Sequence, residues 1–205
     1  MNMAYVPDEE RLRRSVRPLD DPPTVRGWDA EDLSDLPGEA ALRAAAVLVP
    51  FVRRSSGLTV LFTRRASHLR HHAGQISFPG GAIDPGDADA IAAALRETGE
   101  ETGIVPADIE PFGYLDGFDT VSGYRVVPVT GFVREGYSLR MHEGEVDEVF
   151  EVPLPFLLDA GNLRRESIHW EGRARTIYAL DWQGRRIWGA TAAVLKNLVD
   201  RLEAP

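Results

Sequence analysis

Three glutamates within five residues are the part of this sequence best suited to chemistry. Glu97, Glu100 and Glu101 are spaced at i, i+3 and i+4, so a helix would project all three carboxylates from one face. Like charges on one turn repel each other. A hard divalent cation removes that repulsion, because Mg²⁺ prefers oxygen ligands and is usually shared with substrate phosphates. Acidic turns are also common on solvated helix faces, so the spacing alone leaves both interpretations open.

Clear signals bound the helix that must carry these glutamates. Asp87 or Asp89 can cap its start by accepting hydrogen bonds from free backbone amides. Gly103 follows Thr102 at the position where a left-handed residue ends a helix. The opposite side offers a mostly apolar stripe for packing, made of Ile91, Ala94, Leu95 and Thr98.

A glycine turn lies a fixed distance before this helix and makes the pattern more specific. Gly81 and the string Arg96-Glu97-x-x-Glu100-Glu101-x-Gly103-Ile104 resemble the Nudix box, Gly-x5-Glu-x7-Arg-Glu-U-x-Glu-Glu-x-Gly-U, in which U is a bulky apolar residue. Asp87 stands where the box has Glu, and it lies one residue further from Arg96 than in the pattern. Thr98 replaces a bulky apolar residue. The first two departures concern the helix-stabilising role of the first acid, whereas the Arg96–Glu101 core, which would carry the metal, is intact.

The resemblance implies an α/β fold, namely a Nudix α/β/α sandwich with a mixed β-sheet. It also implies metal-dependent cleavage of a diphosphate linked to another moiety. Glu97, Glu100 and Glu101 would hold Mg²⁺ or Mn²⁺, together with the carbonyl of Gly81, and Arg96 would orient the glutamates.

A second acidic cluster follows a glycine- and charge-rich loop at residues 134–144. The resemblance implies that this region supplies a further carboxylate, either to the metal or as general base. We favour Glu145, followed by Glu148; a solvated loop is the alternative. The cluster comprises Glu143, Glu145, Asp147 and Glu148.

A basic segment lies just before the glycine turn. Residues 64–72 contain three arginines and three histidines, and Arg forks bind phosphate oxygens bidentately. Histidine suits transition metals rather than Mg²⁺, so we expect one histidine to be structural and another to contact substrate phosphate.

The same segment resembles the motif of the coenzyme A diphosphatase branch of the Nudix hydrolases, Leu-Leu-Thr-x-Arg-(Ser/Ala)-x3-Arg-x3-Gly-x3-Phe-Pro-Gly-Gly. Here the motif runs from Leu61 to Gly81, and Phe62 for the second Leu is its only departure. The resemblance implies hydrolysis of coenzyme A, or of a derivative, to 3′,5′-ADP and 4′-phosphopantetheine. Arg65 and Arg70 are then the candidates for binding the phosphates of the coenzyme.

Three other functions remain open. The first is a Nudix hydrolase of another nucleoside diphosphate derivative, such as a nucleotide sugar or NADH. The second is a non-catalytic Nudix-fold ligand sensor, although the intact core of the box argues against it. The third is a hydrolase of oxidised nucleoside triphosphates, which the upstream motif disfavours.

Composition limits the class of protein. The 205 residues, 43% of them hydrophobic, suffice for one domain. We expect an N-terminal extension over residues 1–38 and the Nudix hydrolase domain over 39–205. The extension should contain a short basic helix within Pro7–Arg17 and then an acidic stretch that covers the surface, contacts a second subunit in a homodimer, or is a partly ordered lead-in.

Charge and cysteine content narrow the partners and the compartment. The net charge of −9 argues against general nucleic-acid binding, and no apolar run reaches the length of a membrane span. The chain has no cysteine, which excludes disulfides and thiolate metal ligands and fits a cytoplasmic location. Apolar patterning predicts strands at 44–52, 58–63, 114–118, 124–129, 168–170, 176–180 and 186–188, a short helix at 155–160 and a closing helix at 189–202.

Overall fold

The computed structural model describes residues 7–23, 42–170 and 172–204, which form four α-helices, a short 3-10 helix at Pro106–Asp108 and eleven strands. The acidic stretch predicted before Pro37 lies outside the described residues. The helices are α1 Glu9–Ser15, α2 Ala90–Thr102, α3 Leu154–Leu158 and α4 Ala190–Glu203. The strands are β1 Arg43–Arg54, β2 Gly57–Arg65, β3 Ile76–Ser77, β4 Gly80–Ala82, β5 Ile109–Tyr114, β6 Phe118–Asp119, β7 Tyr124–Val133, β8 Val146–Pro153, β9 Arg164–Trp170, β10 Arg173–Trp182 and β11 Arg185–Trp188.

The larger sheet is mixed, as predicted. Its main path runs β3-β2-β1-β7-β5, with β4 paired to β1, β6 to β7 and β8 to β2. Strands β1 and β7 are parallel over ten residue pairs, and the other pairs are antiparallel. Strands β9, β10 and β11 form a separate antiparallel sheet. The hairpin of β1 and β2 turns at Ser55-Ser56, between the strands predicted at 44–52 and 58–63.

Two apolar cores cover the two faces of the large sheet. Helix α2 packs its buried alanines, Ala93 and Ala94, on one face. The other face packs against α1, α3, α4 and the small sheet, through Leu12, Leu157 and Leu198 among others. This arrangement is the predicted α/β/α sandwich. The closing helix is also confirmed, with Ala193, Val194, Leu198 and Leu202 buried.

The N-terminal helix belongs to the packed structure. The predicted basic helix is confirmed over Glu9–Ser15, and Leu12 is fully buried. Arg11 donates a hydrogen bond to the carbonyl of Leu202 at 2.7 Å, which ties α1 to the end of α4. The division into an extension and a domain stays a prediction.

One strand prediction has the wrong boundaries. The predicted strand at 114–118 is in fact β5, which ends at Tyr114, and the two-residue β6. Between them Leu115 is fully buried, and the N–H of Asp116 donates to Asn197 Oδ1 at 3.1 Å. The N–H of Leu115 still donates to the carbonyl of Pro128 on β7 at 3.0 Å, so the ladder breaks at Asp116, whose N–H bonds to α4 instead. No helix in the described ranges is long and apolar enough to span a membrane.

Candidate active site

Helix α2 starts and ends where its sequence signals predict. The Asp89 carboxylate accepts from the N–H of Ala92 at 2.8 Å, so Asp89 is the N-cap. Gly103 has φ +76° and donates to the carbonyl of Gly99 at 2.9 Å. The hydroxyl of the buried Thr98 donates to the carbonyl of Ala94 at 2.7 Å. This bond explains how a polar residue can occupy the position of a bulky apolar one.

Arg96 links the loop before α2 to the glutamates on it. Its Nε and Nη2 donate to the two oxygens of Asp87 at 3.0 and 2.9 Å. Its Nη1 donates to Glu97 at 3.0 Å and to Glu100 at 3.2 Å. The guanidinium also lowers the pKa of Asp87. Asp87 therefore holds the Arg96 guanidinium, although its side chain is shorter than the Glu of the box and lies one residue further from Arg96.

Glu97 and Glu101 are withdrawn from solvent on one side of α2. Glu101 is 5% exposed, and its Oε2 is buried without a hydrogen-bond partner in the described parts of the chain. Burial raises the pKa of Glu101 to about 8, although a hydrogen bond from the Gly80 backbone opposes the rise. Burial also raises the pKa of Glu97. A Cβ at Gly81 would lie 2.6 Å from Glu97 Cδ, so this glycine makes room for the carboxylate.

Glu100 lies in a different environment from the other two glutamates. Its side chain is 57% exposed and contacts Arg96. The structure therefore brings Glu97 and Glu101 together in a buried setting and leaves Glu100 at the rim.

The loop at residues 134–145 brings Glu145 to the same place. The backbone N–H groups of Arg140 and His142 donate to the carbonyls of Thr102 and Glu101 at 2.7 and 3.1 Å, so the loop is attached to the end of α2. The backbone carbonyl of Glu145 then accepts a hydrogen bond from the N–H of Ala66 at 2.8 Å. Its negative charge raises the pKa of both Glu97 and Glu101.

The second-choice acid, Glu148, lies elsewhere. It accepts from Arg64 and Arg185, each at 3.0 Å. Arg185 also stacks on Phe150, which packs against the core on the face of the sheet away from α2. The sequence carries no signal for this cluster, because residue 185 reaches β8 only through tertiary packing.

The basic segment forms a loop between β2 and β3. Arg65 Nε donates to the carbonyl of His71 at 3.3 Å, and the charge of Arg65 opposes the rise that burial causes in the pKa of Glu101. Arg70 is exposed on this loop. His72 adopts a left-handed conformation with φ +58°, and its ring nitrogen lies 2.8 Å from Gln75 Oε1.

Comparison with known proteins decides the family. Residues 42–170 match the profile of the NUDIX domain. The chain belongs to the Nudix family. Over 157 residues it is 45% identical to the Escherichia coli protein named "Uncharacterized Nudix hydrolase NudL", covering 76% of this chain and 81% of that protein. The protein of the same name from Shigella boydii is 44% identical over the same length.

A solved structure of a MutT/nudix family protein from Enterococcus faecalis is similar to this fold. Its TM-score is 0.50 at 18% identity, and the match covers 97% of this chain and 75% of that one. As a Nudix hydrolase, the protein is an enzyme that acts on pyrophosphate bonds.

Nudix hydrolases generally use divalent metal ions, and the acidic cluster fits such an ion chemically. Across residues 7–23, 42–170 and 172–204, no three acidic or histidine side chains converge into a set that holds a metal by itself. Mg²⁺, however, commonly takes one or two carboxylates and completes its shell with waters and substrate phosphates. Oε2 of Glu101 has no hydrogen-bond partner among the described residues, and the pKa values of Glu97 and Glu101 are raised. A nearby cation would relieve both features.

Replacing Arg96 with Lys should impair turnover more than substrate binding. Lysine keeps the charge but cannot hold Asp87 through two parallel bonds while also contacting Glu97. We expect Arg96→Lys to lower kcat by about 10- to 100-fold with KM changed much less, measured by steady-state kinetics at saturating Mg²⁺. Arg134→Lys, at a 72% exposed side chain, is the matched control. A KM effect equal to the kcat effect would contradict the positioning role.

Proposed function

We propose that this Nudix hydrolase cleaves the diphosphate bond of coenzyme A, or of a coenzyme A derivative, to 3′,5′-ADP and 4′-phosphopantetheine. One observation carries the proposal. The segment that resembles the coenzyme A diphosphatase motif, Leu61 to Gly81, lies directly against the acidic cluster. From this segment the Gly80 backbone donates to Glu101, and the charge of Arg65 opposes the rise that burial causes in the pKa of that carboxyl.

The acidic cluster would hold the metal. Glu97 and Glu101 are the main protein ligands in this proposal, with Glu100 at the rim and the carbonyl of Gly81 as a further candidate ligand. Bound Mg²⁺ or Mn²⁺ would polarise the phosphoryl oxygens and lower the pKa of a coordinated water. Arg96 contributes by fixing the side chains of Glu97 and Glu100 before substrate arrives.

Glu145 is the proposed general base. Its side chain is 46% exposed, so a water molecule can reach it, and its charge acts on both buried glutamates. The attacking water gives a proton to this carboxylate as its oxygen bonds to phosphorus. The P–O bond of the anhydride breaks, and attack at either phosphorus yields the same two products.

The basic loop would bind the anionic part of the coenzyme. Arg70 is exposed and available to phosphate oxygens. Arg65 has a double role in this proposal, because its Nε already braces the loop at His71. Positive charge next to a cluster of carboxylates also reduces the repulsion that a diphosphate would meet there.

A comparison of substrates tests the proposal. We expect kcat/KM with Mg²⁺ to be at least about tenfold higher for coenzyme A than for 3′-dephospho-coenzyme A, since one charged hydrogen-bonding contact contributes about 1.5 kcal/mol or more. ADP-ribose and NADH should be cleaved more slowly still. Equal or faster cleavage of those two would keep the pyrophosphate chemistry but assign it to another nucleoside diphosphate derivative. The cytoplasmic location, the homodimer and the absence of a nucleic-acid partner stay predictions.

A further inference from the structure

A cleft of about 390 Å³ lies between the end of the basic loop and strand β11. Residues 73–76 form one wall, residues 184–186 form the other, and Arg64 and Trp188 complete the lining. Arg185 rests on Phe150 in the core away from α2. The cleft is therefore separate from the acidic cluster, which lies on the α2 side of the sheet.

The cleft is positively charged in an acidic protein. Arg64, Arg185 and Arg186 line it, and two carboxylates pair with them. Glu148 is shared by Arg64 and Arg185, and Glu166, the partner of Arg186, is also approached by Arg164 at 3.6 Å. Cations thus outnumber carboxylates at the cleft, although the chain carries a net charge of −9.

Among the arginines that line the cleft, Arg186 can most easily exchange its carboxylate partner for a ligand. Its pair with Glu166 has side chains that are 50% and 29% exposed, and exposed ion pairs contribute little to stability. A phosphate group can accept two parallel bonds from the guanidinium, so it competes well with a single carboxylate oxygen at 2.6 Å.

Size and lining together define the ligand class. The volume lies in the range of small-molecule sites, and Trp188 supplies an aromatic surface beside the guanidinium groups. Aromatic side chains stack on bases, and Arg forks bind phosphates. We propose that this cleft binds a phosphate-bearing nucleotide, through Arg186 at the phosphate and Trp188 at the base. The nucleotide is either the remote end of a substrate held at the acidic cluster or a second, free molecule.

Calorimetric titration with adenosine 3′,5′-bisphosphate tests this site on the full chain. The titration is run in EDTA, so that a metal at the acidic cluster contributes nothing. We expect wild-type protein to bind the nucleotide and Arg186→Ala to raise Kd by at least about tenfold. Arg186→Lys, which keeps the charge without the fork, should fall between them. Arg165→Ala is the matched control, since Arg165 is exposed on the same small sheet and does not line the cleft.

Hydrolysis kinetics then separate the two sources of nucleotide. If Arg186→Ala raises the KM for coenzyme A with kcat unchanged, the cleft holds the remote end of the substrate. If Arg186→Ala raises the Kd for adenosine 3′,5′-bisphosphate but changes neither KM nor kcat for coenzyme A, the cleft holds a second nucleotide. Equal affinity of wild type and Arg186→Ala, or no binding by wild type, would overturn the site. Because the titration needs no turnover, its result stands whether or not coenzyme A is hydrolysed.

Discussion

Glu97→Gln is expected to lower kcat by about 10³-fold, since a catalytic metal contributes several kcal/mol of charge stabilisation. Glutamine keeps the size of the side chain and the contact with Arg96 but removes the negative charge that attracts the cation. Burial already raises the pKa of this carboxyl in the metal-free protein. We therefore expect the melting temperature in EDTA to be unchanged or slightly higher. Steady-state kinetics at several Mg²⁺ concentrations, together with thermal unfolding, measure both effects.

Two further variants make this result specific. Gly81→Ala introduces a Cβ only 2.6 Å from Glu97 Cδ, so the flexible carboxylate must move while the backbone can stay. It should reduce kcat with little loss of stability. Glu143→Gln removes an exposed acid from the neighbouring loop and should leave activity unchanged. Substantial turnover by Glu97→Gln at saturating Mg²⁺ would reject Glu97 as a metal ligand.

Glu101→Gln should change how the stability of the metal-free protein depends on pH. The pKa of Glu101 is about 8 when folded, against 4.5 for an ordinary glutamate. The folded protein therefore holds this proton more tightly than the unfolded chain. The resulting stabilisation is complete below about pH 4.5 and is lost as the pH rises through 8. Between pH 5 and pH 9, wild type in EDTA should lose up to about 4 kcal/mol of unfolding free energy from this group.

Urea unfolding in EDTA at a series of pH values measures this change. Glu101→Gln has no carboxyl to ionise at this position, so its unfolding free energy should fall much less over the same range and exceed that of wild type at pH 9. Glu100→Gln removes an exposed carboxylate from the same helix and is the control. Parallel curves for wild type and Glu101→Gln would show that the buried carboxyl does not retain its proton. Added Mg²⁺ should restore wild-type stability at high pH, because an ion that binds only the folded state stabilises it.

Local signals explain which parts of the fold could be predicted. Helix α2 is bounded by Asp89 and Gly103, whose effects depend on neighbours within four residues. The apolar run of β1 and the periodicity of α4 are equally local, and they too are confirmed. The break after Tyr114 was missed because it depends on Asn197, 81 residues from Asp116.

The same distinction applies to the candidate site. The spacing of Glu97 and Glu101 predicts a shared helix face, but the burial that separates them from Glu100 depends on packing against Gly80 and Gly81. The choice between Glu145 and Glu148 depends on the pairing of β8 with β2, which sets Glu148 opposite Arg64. Residues on β11 complete that arginine cluster, and nothing in their own sequence indicates this position.

Product identification from coenzyme A tests the central claim most directly. Wild-type protein is incubated with coenzyme A and Mg²⁺. The products are separated and quantified by chromatography and identified by mass spectrometry. We predict equimolar 3′,5′-ADP and 4′-phosphopantetheine, with neither product formed in EDTA or by Glu97→Gln. An intact coenzyme under conditions where ADP-ribose or NADH is cleaved would contradict the coenzyme A assignment.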